Sequence, residues 1–383
     1  MTAKQIHNSL FSIIVEPQKL HPNFRFIMTS KAHAPARAML DECYKKFTDI
    51  DGNFLEQFQS TGFDSRIWEL YLHQTLLSMG FDIDRSFDRP DFIIKKGKYD
   101  VGVEAVTTGF RDSNSSDPNE SPENIFLHKQ DHIYPIRFGS ALFSKLKRKY
   151  WELPQMSGKP LIFGVEPFHA EDALGFADAI LSKFLYGKDQ VFEFDKNGQL
   201  QIETKHLEFH VDGEKKIHSN FFEYQDAQNI SAVIFSNSGT IAKFNRMGYL
   251  AKQGIKDIIM IRFGTCYRPN PNASEPLGFL YQVGDPNFQE DWSQGLSLFH
   301  NPNCKLPISN EVFSGILQDR WNGKEFIAEI PGFHVLASKT LTFFGRGLHE
   351  LQLPGSIGEP EIIMKQANEL QLSIAKLMGG IGA

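Results

Sequence analysis

The segment from Asp64 to Thr108 constrains the fold more than any other part of the chain. It opens with DSRIWELYLHQTLLSMG, in which Asp64 is expected to cap a helix with apolar residues at helical spacing and Gly80 to end it. Three short runs follow, FDIDRSF, DFIIKKG and YDVGVEAVTT, whose apolar residues have the spacing of β-strands. The segment therefore predicts a helix followed by three strands.

Three acids occupy distinctive positions in that order. Glu69 lies in the helix, Asp91 follows a proline at the start of the second strand, and Glu104 interrupts the apolar third strand. A buried carboxylate is costly unless something compensates its charge, and a divalent cation is a compensation that also performs chemistry. Because carboxylates are the ligands that Mg²⁺ prefers, these acids predict a Mg²⁺ or Mn²⁺ site.

The rest of the chain predicts further helices and strands. Helices are expected at residues 34–48, 138–153, 171–186 and 359–378, and a polar loop at 111–122. LIFGVEPF is typical of a buried parallel strand, short strands are expected within 187–228, and NISAVIFSN and KDIIMIRFG are expected to extend the same sheet. We expect a helical lead-in at 1–60, a core at 61–170, and an α+β extension at 171–383 packed on the same sheet.

Composition narrows the class of protein. With 383 residues, 41% of them hydrophobic, the chain can bury a large core. A net charge of −6 argues against a protein that coats nucleic acid nonspecifically, although it is compatible with a local basic groove. The three cysteines lack the spacing of a zinc site, and no apolar run is long enough to span a membrane. We therefore expect a cytoplasmic protein without membrane association.

The order helix, three strands, helix and strand, with Glu69, Pro90-Asp91 and Glu104 in place, resembles the PD-(D/E)xK superfamily, the fold of many restriction endonucleases. The resemblance covers residues 64–166, under a third of the chain. It implies an α/β protein with a restriction-endonuclease-like αβββαβ core and a mixed central sheet, extended by a large C-terminal α+β elaboration. Longer runs, such as RIWELYLHQTLL, also resemble a group of uncharacterised bacterial proteins, which implies no particular reaction.

The resemblance implies a role for each acid in the hydrolysis of phosphodiester bonds. Asp91 and Glu104 would bring two oxygens to one ion, the carbonyl of Ala105 would be a third ligand, and Glu69 would hold a metal-bound water or a second ion. The cation would help to form the attacking hydroxide, neutralise the phosphate and stabilise the leaving alkoxide. These roles imply an enzyme that cuts DNA, in defence or repair, and that pairs into a homodimer as many nucleases of this fold do.

The sequence departs from the superfamily pattern at Val106. The superfamily usually has a lysine there, which positions and activates the attacking water, and an apolar side chain cannot do so. Val106 lies two residues after Glu104 and therefore on the same strand face. Three alternatives follow: Lys95 or Lys96 from the preceding strand replaces the lysine, Lys145 from the following helix replaces it, or nothing does and the site is inactive or altered.

Four further residues are candidates for substrate contacts, each with an ordinary structural alternative. His73 and Gln74 follow the helical acid by about one turn and would reach the site, but a helical histidine more often packs or caps. Lys96 and Lys149 are candidate phosphate contacts, yet lysines in such basic segments are often simply solvated. The helical acid could itself pair with Arg66, three residues earlier.

Two other functions stay open beside the leading hypothesis of a nuclease. A binding or scaffold protein would keep the nuclease fold without the reaction, and Val106 and the negative net charge argue for it. SNSGT at 236–240 lies between a predicted strand and a predicted helix, where backbone amides can bind an anion, so a nucleotide could be bound or hydrolysed there. No Walker lysine follows the Gly-Thr pair, which weakens this third hypothesis.

Overall fold

The computed structural model describes residues 9–109, 121–168, 173–270 and 272–380, and it is a mixed α/β protein built on a large central sheet. In these residues the α-helices are α1 (Pro22–Thr29), α2 (Ala34–Lys45), α3 (Phe54–Gln59), α4 (Phe63–Ser78), α5 (Pro122–His128), α6 (Tyr134–Leu146), α7 (Ala173–Tyr186), α8 (Ile241–Leu250) and α9 (Pro360–Gly380). The strands are β1 (Asp82–Asp84), β2 (Phe92–Lys96), β3 (Tyr99–Thr107), β4 (Leu161–Glu166), β5 (Lys188–Phe194), β6 (Leu200–His206), β7 (Phe209–Asp212), β8 (Lys215–His218), β9 (Ala232–Phe235), β10 (Ile258–Cys266), β11 (Leu277–Gln282), β12 (Ser297–His300), β13 (Leu317–Trp321), β14 (Phe326–Glu329), β15 (Val335–Phe344) and β16 (Ser356–Gly358).

The central sheet has eight strands in the order β1-β2-β3-β4-β9-β12-β13-β14. β1, β2 and β3 form an antiparallel meander, and β4 then pairs parallel with β3 and with β9. A mixed central sheet was predicted and is confirmed. The predicted order over residues 64–166 is also present, as α4-β1-β2-β3-α6-β4, with the short α5 ahead of α6.

Helices cover both faces of this sheet at β3 and β4. On one face the indole Nε1 of Trp68, in α4, donates to the carbonyl of Gly164 at 3.0 Å. A Cβ at Gly164 would lie 2.9 Å from the Cδ2 of Leu72, so the close approach of α4 requires a glycine in β4. On the other face Val106 and Phe163 pack in a buried cluster with α6 and α7. Burial on both faces explains why β3 and β4 are almost continuously apolar.

The ends of α4 agree only in part with the prediction. The helix begins at Phe63, so Asp64 lies in its first turn instead of capping it, where a negative charge still stabilises the positive end of the helix. At the other end Gly80 adopts φ 82°, and its amide donates to the carbonyl of Leu77 at 3.0 Å. Gly80 therefore ends the helix as predicted.

The second sheet overturns one prediction for the C-terminal half. NISAVIFSN forms β9 of the central sheet, as expected, but KDIIMIRFG forms β10 of a separate four-stranded sheet in the order β15-β10-β11-β16. One face of β10 packs with α9 through Ile259 and Ile261, and Met260 is buried on the other. The prediction was wrong because an apolar run indicates burial on two faces but does not indicate which sheet buries it.

Other helices begin or end several residues away from their predicted bounds. The helix expected at 34–48 ends at Lys45, and the helix expected at 138–153 begins at Tyr134 and ends at Leu146. The short strands expected within 187–228 are present as the hairpins β5–β6 and β7–β8. The loop expected at 111–122 lies almost wholly outside the described residues. Within the described ranges, none of the helices has the length and apolar character needed to cross a bilayer.

Candidate active site

Asp91 and Glu104 meet where the pairing of β2 with β3 ends. The last paired residues are Phe92 and Val103, so Asp91 lies beside the next stretch of β3 without continuing the ladder. The Oδ2 of Asp91 accepts the amide of Ala105 at 2.7 Å, and the Oε2 of Glu104 accepts the amide of Asp91 at 3.3 Å. Each acid therefore binds the backbone beside the other, and these bonds replace the missing strand pairing.

The carbonyl of Ala105 faces the same edge. In a strand, the amide and the carbonyl of one residue point toward the same neighbouring strand. Because the Ala105 amide points to Asp91, its carbonyl lies on the side of the two acids. Two carboxylates and a backbone carbonyl therefore share this corner of the sheet.

Lys145 is the lysine that contacts an acid of this corner. Its Nζ donates to the Oε1 of Glu104, and the phenol of Tyr150 donates to the same oxygen at 2.7 Å. The side chain of Glu104 is 3% exposed and that of Lys145 is 22% exposed, so the lysine extends from the buried acid toward solvent. Of the alternatives open for the lysine, the structure has the one from the following helix in contact with Glu104.

Val106 is in the apolar core and not at the site. Its side chain is 1% exposed and packs in the cluster that contains α6 and α7. A lysine at this position would bring its charge into that cluster, at a large cost in free energy. The chain therefore places its cation at the end of α6, on the solvent side of the same face.

Glu69 lies in a different arrangement from the other two acids. Both of its carboxylate oxygens accept from Nη1 of Arg66, at 2.8 and 2.7 Å. The pairing with Arg66 is present, but the pair is largely buried and not on a solvated helix face. Glu69 is thus already neutralised by the protein, and its carboxylate is the least available of the three as a metal ligand.

Burial raises the pKa values of two acids of this region, and nearby charges act on each of them in different directions. Burial, and then the neighbouring carboxylates of Glu104 and Glu69, raise the pKa of Asp91 well above its ordinary value, with Lys145 acting in the opposite direction. Burial likewise raises the pKa of Glu69, opposed by Arg66 and Arg85. Asp91 therefore bears most of the like-charge repulsion, the kind of repulsion that a divalent cation relieves.

A small polar pocket opens on Asp91 from the side of α4. Its cavity volume is about 30 Å³, enough for a water molecule or an ion, and its lining includes Asp49, Arg66, Arg85 and Asp88. The guanidinium of Arg85 stacks on Phe47 at 3.5 Å from the ring centre. Its Nε and Nη1 are buried and have no hydrogen-bond partner among the described residues. The pocket thus places beside Asp91 a buried cation, Arg85, whose donors are not all used.

Lys95 and Lys96 are wrong as replacements for the missing lysine. β2 runs away from Asp91 into its hairpin with β3, so Lys95 lies opposite Asp100, roughly 13 Å along the strand from the acid. Lys95 is exposed, and the Nζ of Lys96 donates to the carbonyl of Met79 at 3.0 Å. Lys96 therefore closes the C-terminal end of α4, and its expected contact with a phosphate has no support.

The other three predicted substrate contacts differ in their surroundings. His73 is buried against the rings of Phe47 and Phe92, and burial lowers its pKa to about 3, so it is a neutral core histidine. The Oε1 of Gln74 is buried without a partner in the described part of the chain. Lys149 is exposed, adopts a left-handed φ of 49°, and pairs with Glu152 at 3.4 Å. None of the three contacts an acid of the site.

The SNSGT segment lies as predicted between β9 and α8, but protein groups occupy the place of an anion. The amide of Gly239 donates to the Oε1 of Glu166 at 3.2 Å. A Cβ at Gly239 would lie 2.7 Å from the ring of Trp68, so the segment is packed against α4. The hydroxyl of Ser236 bonds that of Tyr71 at 3.3 Å, and Glu166 is fully buried. The segment is therefore a packed junction rather than an open phosphate loop.

The donor set fits a hard cation better than a softer metal. No group of three or more His, Cys, Asp or Glu side chains in the described ranges is arranged to hold a metal ion. Mg²⁺ is commonly bound by only one or two carboxylates together with waters and other oxygens, and Asp91, Glu104 and the carbonyl of Ala105 match that pattern. A zinc site would require more side-chain ligands.

Two residues of the site were not found from the sequence. Tyr150 belongs to the KRKYWEL run, and its proximity to Glu104 gives no local signal because 46 residues separate them. Arg85 follows β1 and resembles any loop arginine. Comparisons of the chain with protein-family models, with curated proteins and with solved structures find no match.

Proposed function

We propose that this protein is a Mg²⁺- or Mn²⁺-dependent nuclease of the PD-(D/E)xK type that hydrolyses phosphodiester bonds in DNA. The observation that carries the proposal is the contact of Lys145 with Glu104. Lys145, in α6, supplies the cation that the sequence lacks at Val106. The element order and the convergence of Asp91 with Glu104 support the same proposal.

Asp91, Glu104 and the carbonyl of Ala105 would hold the metal ion. Such an ion supplies charge neutralisation at the phosphate and a hydroxide at neutral pH. Asp91 is the acid best suited to bind it, because its neighbours Glu104 and Glu69 disfavour its own negative charge. Its half-buried position at the pocket leaves it accessible to an ion from solvent.

Lys145 would position the attacking water. The lysine is held at one end by Glu104 and remains partly exposed, so an Nζ donor can reach a solvent molecule beside the acid. A lysine in such a place fixes the water by hydrogen bonding and stabilises negative charge that develops on the attacking oxygen. The chain would thus perform from α6 the task that a strand lysine performs elsewhere.

A basic segment beside the site supports a polyanionic substrate. Lys147, Arg148 and Lys149 lie two to four residues after Lys145, and all three are exposed. Exposed cations attract the phosphate backbone without sequence preference, and this attraction weakens as salt releases the counterions. The net charge of the whole chain is −6, so attraction of a polyanion has to come from local basic segments such as this one.

The test is metal binding and DNA cleavage by matched variants. Calorimetry with Mn²⁺ should show binding to the wild type and none to Asp91→Ala or Glu104→Ala. Nicking of supercoiled DNA in Mn²⁺ should be lost in Glu104→Gln and in Lys145→Met and kept in Lys95→Met, which removes an exposed lysine far from the acids. Equal Mn²⁺ binding by the wild type and both alanine variants would overturn the metal site.

A non-catalytic scaffold is the second candidate, and one observation favours it. The three acids lie among three cations, because Arg66 binds Glu69, Lys145 binds Glu104, and Arg85 acts on Asp91 and Glu69. A cluster that is already neutral needs no metal ion. This candidate predicts no Mn²⁺ binding and no cleavage by the wild type, in Mg²⁺ or Mn²⁺.

A further inference from the structure

We infer that Tyr150 is a positioning residue for Glu104, and that it acts with Lys145 as a two-donor clamp on one carboxylate oxygen. The inference rests on the proposed function and adds to it a residue outside the acid and lysine pattern. Both donors reach Oε1, whereas Oε2 accepts the amide of Asp91. The clamp therefore orients the carboxylate so that Oε2 faces Asp91, where the cation would lie.

The chain path between the two donors explains how both reach the same atom. α6 ends at Leu146, and Lys149 then adopts the left-handed conformation, which turns the chain into the single helical turn Tyr150–Glu152. The ring of Tyr150 is fully buried and lies edge-on to Phe163 of β4, with 6.2 Å between ring centres. The hydroxyl is thus held in place by packing, unlike the flexible amine of the lysine.

Tyr150 would act on the cation only through the carboxylate. Its hydroxyl donates to Oε1 of Glu104 at 2.7 Å, whereas Oε2 is the oxygen that faces Asp91. An outer group that orients a ligating carboxylate is worth about 10–100-fold in metal affinity where such groups have been removed. The clamp would therefore contribute to cation binding without touching the cation.

The experiment compares Tyr150→Phe with Tyr186→Phe. Tyr186 is a matched control because it is buried in the same apolar cluster as Tyr150, and its hydroxyl donates to the backbone carbonyls of His300 and Asp319 and not to a carboxylate of the site. Calorimetry with Mn²⁺ should show affinity about tenfold weaker in Tyr150→Phe and unchanged in Tyr186→Phe, at a temperature where both remain folded. The electron paramagnetic resonance spectrum of bound Mn²⁺ should change only in Tyr150→Phe.

The outcomes separate this inference from the proposed function. If the wild type binds Mn²⁺ and Tyr150→Phe binds it equally tightly with the same spectrum, the clamp is overturned and the nuclease proposal stands. Equal weakening in both variants would assign the effect to general packing and would also overturn the clamp. If the wild type binds no Mn²⁺, both the proposed function and the clamp fall.

Discussion

Two charged clusters in this molecule are built in opposite ways. The site cluster consists of Glu69, Asp91 and Glu104 with Arg66, Arg85 and Lys145; the cationic cluster consists of Glu290 with Lys243, Arg246 and Arg262. In the cationic cluster one acid is shared by three cations, and all four side chains are at most 3% exposed. In the site cluster Asp91 lines a small pocket, and the carboxylates of Glu104 and Glu69 disfavour its negative charge.

The pKa values of the two clusters move in opposite directions. Burial alone would raise the pKa of Glu290, but Arg246, Arg262 and Lys243 together hold it well below its ordinary value. The pKa of Asp91 is raised well above its ordinary value, because burial and two carboxylates act on it together. Charge density alone therefore does not mark a functional site. An acid that its surroundings leave unstable as an anion, within reach of solvent, is the better sign.

The cationic cluster joins parts of the chain that the sequence keeps far apart. Glu290 accepts from Arg246 of α8 at 2.8 Å and lies 3.2 Å from Arg262 of β10. Arg246 also donates to the hydroxyl of Thr340 in β15. The cluster thus fixes α8 against the second sheet, and its role in this molecule is structural.

The largest expected effect is on the cationic cluster. Glu290→Gln should lower the free energy of unfolding by about 3–5 kcal/mol, because three buried cations lose the acid that they share. Denaturant titration measures the change. Glu359→Gln is the control, since its pair with Arg268 is exposed and should contribute little to the free energy of unfolding. A similar small loss in both variants would contradict the distinction between the clusters.

A smaller loss is expected at the site cluster. Lys145→Met should lower the free energy of unfolding by about 2 kcal/mol, since Glu104 loses its cation but keeps the hydroxyl of Tyr150 and the amide of Asp91. The same denaturant titration measures it. The rate of DNA cleavage should fall to a much greater extent than this modest loss of stability explains. A variant that is destabilised yet cleaves at the wild-type rate would assign Lys145 to structure alone.

Substitution of Asp91 is expected to change the free energy of unfolding in the opposite direction. Without divalent cations, Asp91→Asn should raise the free energy of unfolding by about 1 kcal/mol at pH 7, because the substitution removes a charge that burial and the carboxylates of Glu104 and Glu69 disfavour. Thermal unfolding with and without Mn²⁺ should show a second effect, loss of the stabilisation by Mn²⁺. Destabilisation of Asp91→Asn in metal-free buffer would show that Asp91 is held by favourable charges, as Glu290 is.

The smallest expected effect is a pH dependence of stability with opposite signs in the two clusters. The folded state holds the proton of Asp91 more tightly than the unfolded state, so its contribution to stability is complete below about pH 4 and is lost as the pH rises through its raised pKa. Glu290 has a lowered pKa, so its contribution is present above about pH 4.5 and is lost as the pH falls. In metal-free buffer between pH 4 and 8, the free energy of unfolding should decline less with rising pH in Asp91→Asn than in the wild type. Identical slopes would contradict the raised pKa of Asp91.

Much of the core was predictable because its signals are local. The period of α4, the glycine at its end, and the apolar runs of β2, β3 and β4 each follow from neighbouring residues in the sequence. The predictions from sequence failed where the pairing of a strand or the surroundings of a side chain depend on residues distant in the chain. β10 has the same apolar character as β9, yet its strand partners belong to another sheet. His73 has helical spacing to Glu69, but the rings of Phe47 and Phe92 enclose it.

The sequence by itself determined the helix and strands near the three acids, and it determined that Asp91 lies at the start of one strand, immediately before Phe92, and that Glu104 lies within another. Only the tertiary structure decided what each acid meets. Lys145 reaches Glu104 across 41 residues and Tyr150 across 46, because the connection from β3 through α6 folds back onto the sheet before β4. Arg66 pairs with Glu69, although the position of Glu69 in the sequence was also compatible with a metal ligand. Periodicity determines which face of its helix or strand a residue occupies. The packing of distant elements determines which charged side chain the residue contacts on that face.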